Sequence, residues 1–291
     1  MKLGEILQAS TDYFEKRNLE SPRLSAEILA ARLLNCKRAE IPLKLDMLLS
    51  EKLVNAMRRG VMRVGKGEPV QYVIGQWDFR NLTLKIDRRC LVPRPETEEL
   101  VQLLLDCKPL RAIESPLILD FGTGSGCIAL SVASEFPDAR VAGVDVCNDA
   151  LSLARENAQS LNLNDKVTLF NSVEVDLADI FEGGTLHAII SNPPYIPTAA
   201  CDNLSPTVRD FEPRHALDGG TDGLDVIRYI LDESVMLLAS GGVVFFEVSA
   251  EDNQASDVSR YMSELGFDKI NVLKDSSGAE RFVTGFLADG V

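Results

Sequence analysis

Histidine is scarce in this chain, with two among 291 residues. His187 and His215 stand in no triad-like pattern, and both read as structural, so chemistry that depends on a histidine base is disfavoured. Closely spaced cysteines are missing as well. Cys36, Cys90, Cys107, Cys127, Cys147 and Cys201 include no CxxC pair, and only Cys201 has a histidine, His215, within reach along the sequence. Ligands to one zinc ion must converge within about 2.0–2.3 Å of it, so the spacing speaks against a metal and against a thioredoxin-like motif. All six read as reduced, small buried hydrophobes. No apolar run approaches the roughly 18 residues that a bilayer span needs. The opening MKLGEILQASTDYFEK carries Glu5 and Asp12 and has no apolar core of a secretory signal. A cytoplasmic protein with no membrane partner is expected. Positive charge is also in short supply: 30 Lys and Arg face 44 Asp and Glu, a net charge of −14. Such a chain is ill suited to hold a nucleic-acid backbone by bulk charge, and no nucleic-acid partner is expected. What is present is 45% apolar and 25% charged residues, enough for one large α/β domain or two smaller ones.

Charge and periodicity divide the chain. Residues 1–89 hold 17 Lys and Arg against 11 Asp and Glu, a balance of +6, whereas 90–291 hold 13 against 33, a balance of −20. Residues 1–75 read as a small helical bundle. Leu3, Ile6, Leu7, Ser10 and Phe14 recur at helical spacing. Ser21-Pro22 reads as an N-cap followed by proline at the first helical position. A third helix, with Ser50 as its cap, is expected to bury Leu53, Met57, Val61 and Val64 and to stop near Gly65 and Gly67. In 76–92 the period changes. Trp77, Phe79, Leu82, Leu84 and Ile86 mostly alternate with polar residues, which predicts a β-hairpin turned at Arg80-Asn81 that joins the bundle to the remainder, 93–291.

Beyond 95, strands and helices alternate. Strands are expected at 117–120, 140–146, 167–172, 186–191, 242–248, 267–273 and 281–287. Helices are expected from Cys127 and at 149–161, 223–239 and 252–265. This alternation implies a doubly wound, mostly parallel sheet, whose ligands sit beyond the carboxyl ends of the strands. Three strand ends stand out. The first leads into Gly122-Thr123-Gly124-Ser125-Gly126, where alternate glycines let a ligand lie against bare backbone amides. The second ends at Asp145, 19 positions after Gly126 and placed to accept hydrogen bonds from two ribose hydroxyls. The fourth ends in Asn192-Pro193-Pro194-Tyr195. Two prolines remove two N–H donors and leave two carbonyls outward beside Asn192, a set of acceptors with a flat wall that suits a planar NH2 group.

The segments DFGTGSG, VDV and SNPPYIP together resemble a class I S-adenosylmethionine methyltransferase acting on a planar nitrogen. With LVPRPETEELV (91–101), FEPRHALDGGTDGLDVIR (211–228) and KDSSGAERFVTG (274–285), nearly the whole chain resembles the release-factor glutamine methyltransferases, the HemK or PrmC proteins. The resemblance implies a Rossmann-like seven-stranded α/β fold, with 93–291 as the methyltransferase domain and 76–92 as a β-hairpin linker; the charge split adds the expectation that residues 1–75 are a helical substrate-recognition domain that docks an acidic partner. It implies methyl transfer from S-adenosyl-L-methionine, leaving S-adenosyl-L-homocysteine, to the glutamine amide of the Gly-Gly-Gln tripeptide in class 1 peptide-chain release factors. Gly122, Thr123, Gly124, Ser125 and Gly126 would wrap the cofactor and Asp145 would bind its ribose. Asn192, Pro193, Pro194 and Tyr195 would hold the glutamine, with Asn192 also near the sulfonium and Asn192, Pro193 and Tyr195 as the catalytic group. Asp176-Leu177 would lie at the adenine, although the bulky aromatic of relatives is absent there. Relatives also favour Gly soon after a Glu where this chain has Glu247-Val248-Ser249.

An amide nitrogen is a weak nucleophile and a sulfonium an activated donor, so orientation and acceptors on the NH2 group would supply the catalysis without a strong base. Other readings of the same residues are a glutamine methyltransferase of a ribosomal protein, an adenine-N6 nucleic-acid methyltransferase, an inactive adenosine-cofactor-binding module and a nicotinamide oxidoreductase. The acidic catalytic half disfavours the adenine enzyme, and the GxGxG spacing disfavours the last.

Overall fold

The computed structural model describes residues 1–181, 183–251 and 253–289, and it divides into two compact units: Met1–Gln76 with Ser205–Phe211, and Trp77–Leu204 with Glu212–Val291.

In the first unit, α1 (Leu3–Glu15), α2 (Pro22–Leu34), a 3-10 segment (Arg38–Lys44), α3 (Glu51–Val64) and α4 (Val70–Ile74) enclose one apolar core. The whole expected stripe of α1 is buried, and the Ser10 and Thr11 hydroxyls donate back to the carbonyls of Ile6 and Leu7. Two local expectations need correction. Ser21 occupies the cap position of α2 but with φ of 47°, and its side chain makes no capping bond. In α3, whose Leu53 amide donates to Ser50 Oγ at 3.4 Å, Val54 is buried with Met57 and Val64, while Leu53 and Val61 are half-buried. Met57 and Val64 of the expected stripe thus face the core, Val61 packs at its margin, and Val54 takes the place expected of Leu53.

The hairpin forms as expected from β1 (Gln76–Phe79) and β2 (Leu82–Lys85), with Arg80 at φ of 51° in the turn. Then follow α5 (Pro95–Leu105), α6 (Lys108–Arg111), β3 (Leu117–Phe121), α7 (Cys127–Glu135), β4 (Arg140–Asp145), α8 (Asn148–Ser160) and β5 (Val167–Asn171). Next come α9 (Leu177–Ile180), β6 (Leu186–Ser191), α10 (Thr198–Cys201) and α11 (Pro206–Arg209), the last belonging to the first unit. The chain closes with α12 (Asp225–Leu237), β7 (Leu238–Glu247), α13 (Gln254–Glu264), β8 (Phe267–Lys274) and β9 (Glu280–Leu287). Asp252, where the helix now seen as α13 was expected to start, lies outside the described residues, as do the last two positions of the expected 93–291 segment.

Seven strands form one sheet in the order β5-β4-β3-β6-β7-β9-β8. The first five are mutually parallel, and β9 runs antiparallel between β7 and β8. Leu119, Phe121, Ile189, Val244 and Phe246 are all buried, because helices cover both sheet faces and parallel strands must then be apolar on both sides. Register aligns the strand ends. Asp120 lies opposite Ile190, and Ser191 opposite Phe246. The glycine loop after β3, Asn192 after β6 and Glu247 at the end of β7 therefore share one edge of the sheet.

Candidate active site

At that edge lies a cleft of about 180 Å³, lined by the glycine loop, Asp145 and Asn192-Pro193-Pro194. Its floor is the glycine loop. Gly122, Gly124 and Gly126 have φ of 76°, 56° and 82°, the left-handed region in which a side chain is strained. At Gly126 the position is closed as well, since a Cβ would stand 2.9 Å from Leu130 Cδ1 and 3.3 Å from Ala154 Cβ. The amides of Gly122 and Thr123 both donate to the Val144 carbonyl, at 2.8 and 2.9 Å, which ties the loop to the end of β4. Thr123 Oγ1 donates to Asp120 Oδ2 at 2.6 Å, and the Ser125 carbonyl accepts from Asn157 Nδ2 at 2.9 Å.

Asp120 is fully buried, and its Oδ1 meets no donor among the described residues. Burial pushes its pKa up to about 7, against the pull of the Thr123 hydroxyl and the Ala129 amide. Asp145 lines the cleft. Its Oδ2 accepts from the Gly124 amide and its Oδ1 from the Cys147 amide, both at 2.9 Å. A carboxylate has lone pairs to spare beyond two such bonds, so these leave it able to take hydroxyl donors while they fix its orientation.

The opposite wall is Asn192-Pro193-Pro194. The Tyr195 carbonyl accepts from Gln254 Nε2 at 2.8 Å, which ties the end of this segment to α13. Tyr195 itself is turned inward, with its hydroxyl 3.3 Å from Glu247 Oε1, and burial raises its pKa. Asn192 Nδ2 donates to Thr97 Oγ1 at 2.8 Å, and Thr97 Oγ1 donates to Glu247 Oε2 at 2.7 Å. Thr97 is 2% and Glu247 1% exposed, and burial pushes the Glu247 carboxyl up to about 7. No described residue donates to the Asn192 amide oxygen, so that atom is the acceptor the site offers to a ligand.

The cleft thus gathers Gly122, Thr123, Gly124, Ser125, Asp145, Asn192, Pro193 and Pro194. Gly126 and Tyr195 support it from behind. Ser172 and Val146 stand on its wall, whereas Asp176 caps α9 and Leu177 is buried in the sheet core. His187 accepts from the Leu117 amide through Nδ1, a structural use, but His215 lines the cleft, as do Cys90 and Cys127. Burial pushes the Cys90 thiol up to about 12 and raises the Cys127 thiol too, so both are held as neutral SH groups. Thr97 and Glu247 were not singled out for the site by sequence. The signal available was a threonine in the helix-opening PRPETE and a glutamate ending a strand that neighbours the Asn192 strand. Among the described residues no group of three or more His, Cys, Asp or Glu could hold a metal ion, and no helix is long and apolar enough to cross a membrane.

Residues 5–75 match the PrmC N-terminal domain family and residues 98–204 the methyltransferase small domain family. The release factor glutamine methyltransferase of Rhodopirellula baltica is 40% identical over 287 residues, covering 96% of this chain and 94% of that protein. The human MTRF1L release factor glutamine methyltransferase is 34% identical over 292 residues, covering 96% and 86%. Among solved structures, a methyltransferase from Pyrococcus furiosus superposes with a TM-score of 0.51 at 21% identity, covering 70% of this chain and 88% of that one, which shows a shared fold.

Proposed function

The chain belongs to the release factor glutamine methyltransferase family of S-adenosylmethionine-dependent enzymes, and from that premise we propose that it methylates the side-chain amide nitrogen of the Gly-Gly-Gln glutamine in class 1 peptide-chain release factors. The observation that carries this reading is the fixed Asn192 amide: the residue lines the cleft, its nitrogen is taken by Thr97, no described residue donates to its oxygen, and prolines follow it. Such an acceptor holds an NH2 group and repels a group that can only accept.

The residues present fit S-adenosyl-L-methionine. A cradle of left-handed glycines lies under the cleft, an oriented carboxylate, Asp145, stands where ribose hydroxyls can donate, and apolar Val146, Ala150 and Ile128 line the walls. When bound, that group supplies a methyl on a positively charged sulfur. The protein's share is geometric and electrostatic. Asn192 Oδ1 accepts one proton of the glutamine NH2, turns the nitrogen toward the methyl and stabilises the positive charge that grows on nitrogen. No side chain need remove a proton before the methyl moves: as the N–CH3 bond forms and the S–CH3 bond breaks, the nitrogen becomes cationic and strongly acidic, and its proton then passes to water. The basic residues 1–75 are the recognition domain in this reading, docking an acidic partner surface, with 76–92 as the linker.

The test is the intact mass of a recombinant class 1 release factor after incubation with this protein and S-adenosylmethionine. One methyl gained, and none when Ala replaces the Gly-Gly-Gln glutamine, supports the reading. No gain on either refutes it.

A further inference from the structure

Glu247 and Thr97 are both almost fully buried, and the methyl transfer itself uses neither directly. We propose that they form a positioning pair, in which Glu247, acting through Thr97, determines which edge of the Asn192 amide meets the acceptor nitrogen. The inference rests on the proposed reaction and adds to it the group that gives Asn192 its polarity.

The argument is a count of protons. An asparagine amide has two nearly isosteric edges, one a donor and one an acceptor. Only the acceptor edge can hold an NH2 group; the donor edge would oppose it, hydrogen to hydrogen. Asn192 touches Thr97 Oγ1 at 2.8 Å, and a hydroxyl by itself accepts either edge, because it both donates and accepts. The ambiguity is removed one bond further back. Ionised Glu247 has no proton to give, so at Oε2 it takes the single hydroxyl proton of Thr97 at 2.7 Å, and at Oε1 it faces the Tyr195 hydroxyl at 3.3 Å. Thr97, its proton spent, can only accept from Asn192. The amide must then present NH2 to Thr97 and its oxygen to the cleft. Burial strengthens the effect, since water is not at hand to satisfy the opposite orientation.

The fold delivers this chain of bonds from three separate elements. Pro95 opens α5 and sets Thr97 in its first turn, β7 ends at Glu247, and β6, paired with β7 at Ser191 and Phe246, ends one residue before Asn192. The Tyr195, Arg281 and Glu96 side chains also bear on the carboxylate: Tyr195 by its hydroxyl, Arg281 by a charge that favours the ionised form and Glu96 by one that opposes it.

The experiment compares wild type, Thr97→Val and Thr97→Ser at pH 8, on the alkaline side of the raised Glu247 carboxyl, with a release factor as substrate. Valine keeps the shape of threonine and removes the hydroxyl; serine restores it. Thr97→Val is expected to lower kcat about 10- to 100-fold, the range for a misoriented polar group. KM for S-adenosylmethionine should stay within about twofold of wild type. Thr97→Ser should recover activity to within about threefold of wild type. A Val variant as active as wild type, or a Ser variant as slow as Val, overturns the proposal, the second by showing that packing alone matters. If Thr97→Val does not fold, the pair Thr97→Val and Glu247→Leu, which removes the stranded carboxylate as well, takes its place with the same expected loss. If wild type itself transfers no methyl, the reaction reading fails and the pair is judged by NMR. The Asn192 side-chain NH2 protons should exchange slowly in wild type and Thr97→Ser and quickly in Thr97→Val; equal exchange in all three refutes the pair.

Discussion

Asn192 is the residue on which the chemistry turns, and its replacement isolates the orienting role from cofactor binding. Asn192→Ala should lower single-turnover methyl transfer by roughly 10²-fold or more while cofactor affinity changes less, read by stopped turnover and by calorimetry. Near-normal turnover would remove it from the mechanism. Two buried carboxylates leave a second mark at this scale. Glu247 and Asp120 are both pushed up to about 7 from ordinary values of 4.5 and 3.8, in each case chiefly by burial. Between those limits the folded chain keeps protons that the unfolded chain releases, so stability is highest on the acid side of the window and falls as pH rises toward 7. Melting temperature followed from pH 5 to 8 should decline less steeply in Glu247→Gln than in wild type. Parallel slopes would show that Glu247 does not titrate in this range.

The element that supports Asn192 is not the proline pair alone. The segment 217–223 lies along it: the Ile196 amide donates to the Leu217 carbonyl, and the Gly219 amide donates to the Ile196 carbonyl. Gly223 has φ of 79°, and a Cβ there would fall 2.3 Å from the Tyr195 carbonyl and 2.6 Å from Gln254 Nε2. Gly223→Ala should therefore cost about 1–3 kcal/mol of stability from backbone strain and push the Asn192 loop out of place, lowering kcat more than cofactor affinity. Thermal melting and a kcat measurement check both. Long-range support of this kind is what a linear sequence hides. The strands before Gly122, Asp145 and Asn192 were legible because each is a short apolar run that stops at an unusual polar or glycine cluster. Glu247 could be seen as a strand end but not as a partner of Thr97, because the two are 150 positions apart and meet only through the strand order. The helix beginning at Pro95 and the insertion of β9 between β7 and β8 escaped for the same reason: short-range pattern finds a segment, and long-range pairing decides its neighbour. Ser21 shows the reverse failure, a correct boundary whose side chain takes no part in it.

Over the whole molecule, the opposite charge balances of +6 in residues 1–89 and −20 in residues 90–291 give the proposed recognition domain a measurable signature. If the basic region steers an acidic partner, kcat/KM toward an intact release factor should fall as salt rises from about 50 to 300 mM, across which the Debye length shortens markedly. Turnover of a short Gly-Gly-Gln peptide should change little over the same range. Equal salt responses for protein and peptide would assign the charge to solubility alone. The central claim, that the acceptor is one amide nitrogen, is tested most directly by fragment-ion mapping of a release factor treated with S-adenosylmethionine labelled in its methyl group. The account predicts label confined to the glutamine of Gly-Gly-Gln and released as methylamine on acid hydrolysis of that peptide. Label at any other residue, or at that peptide without methylamine on hydrolysis, would contradict it.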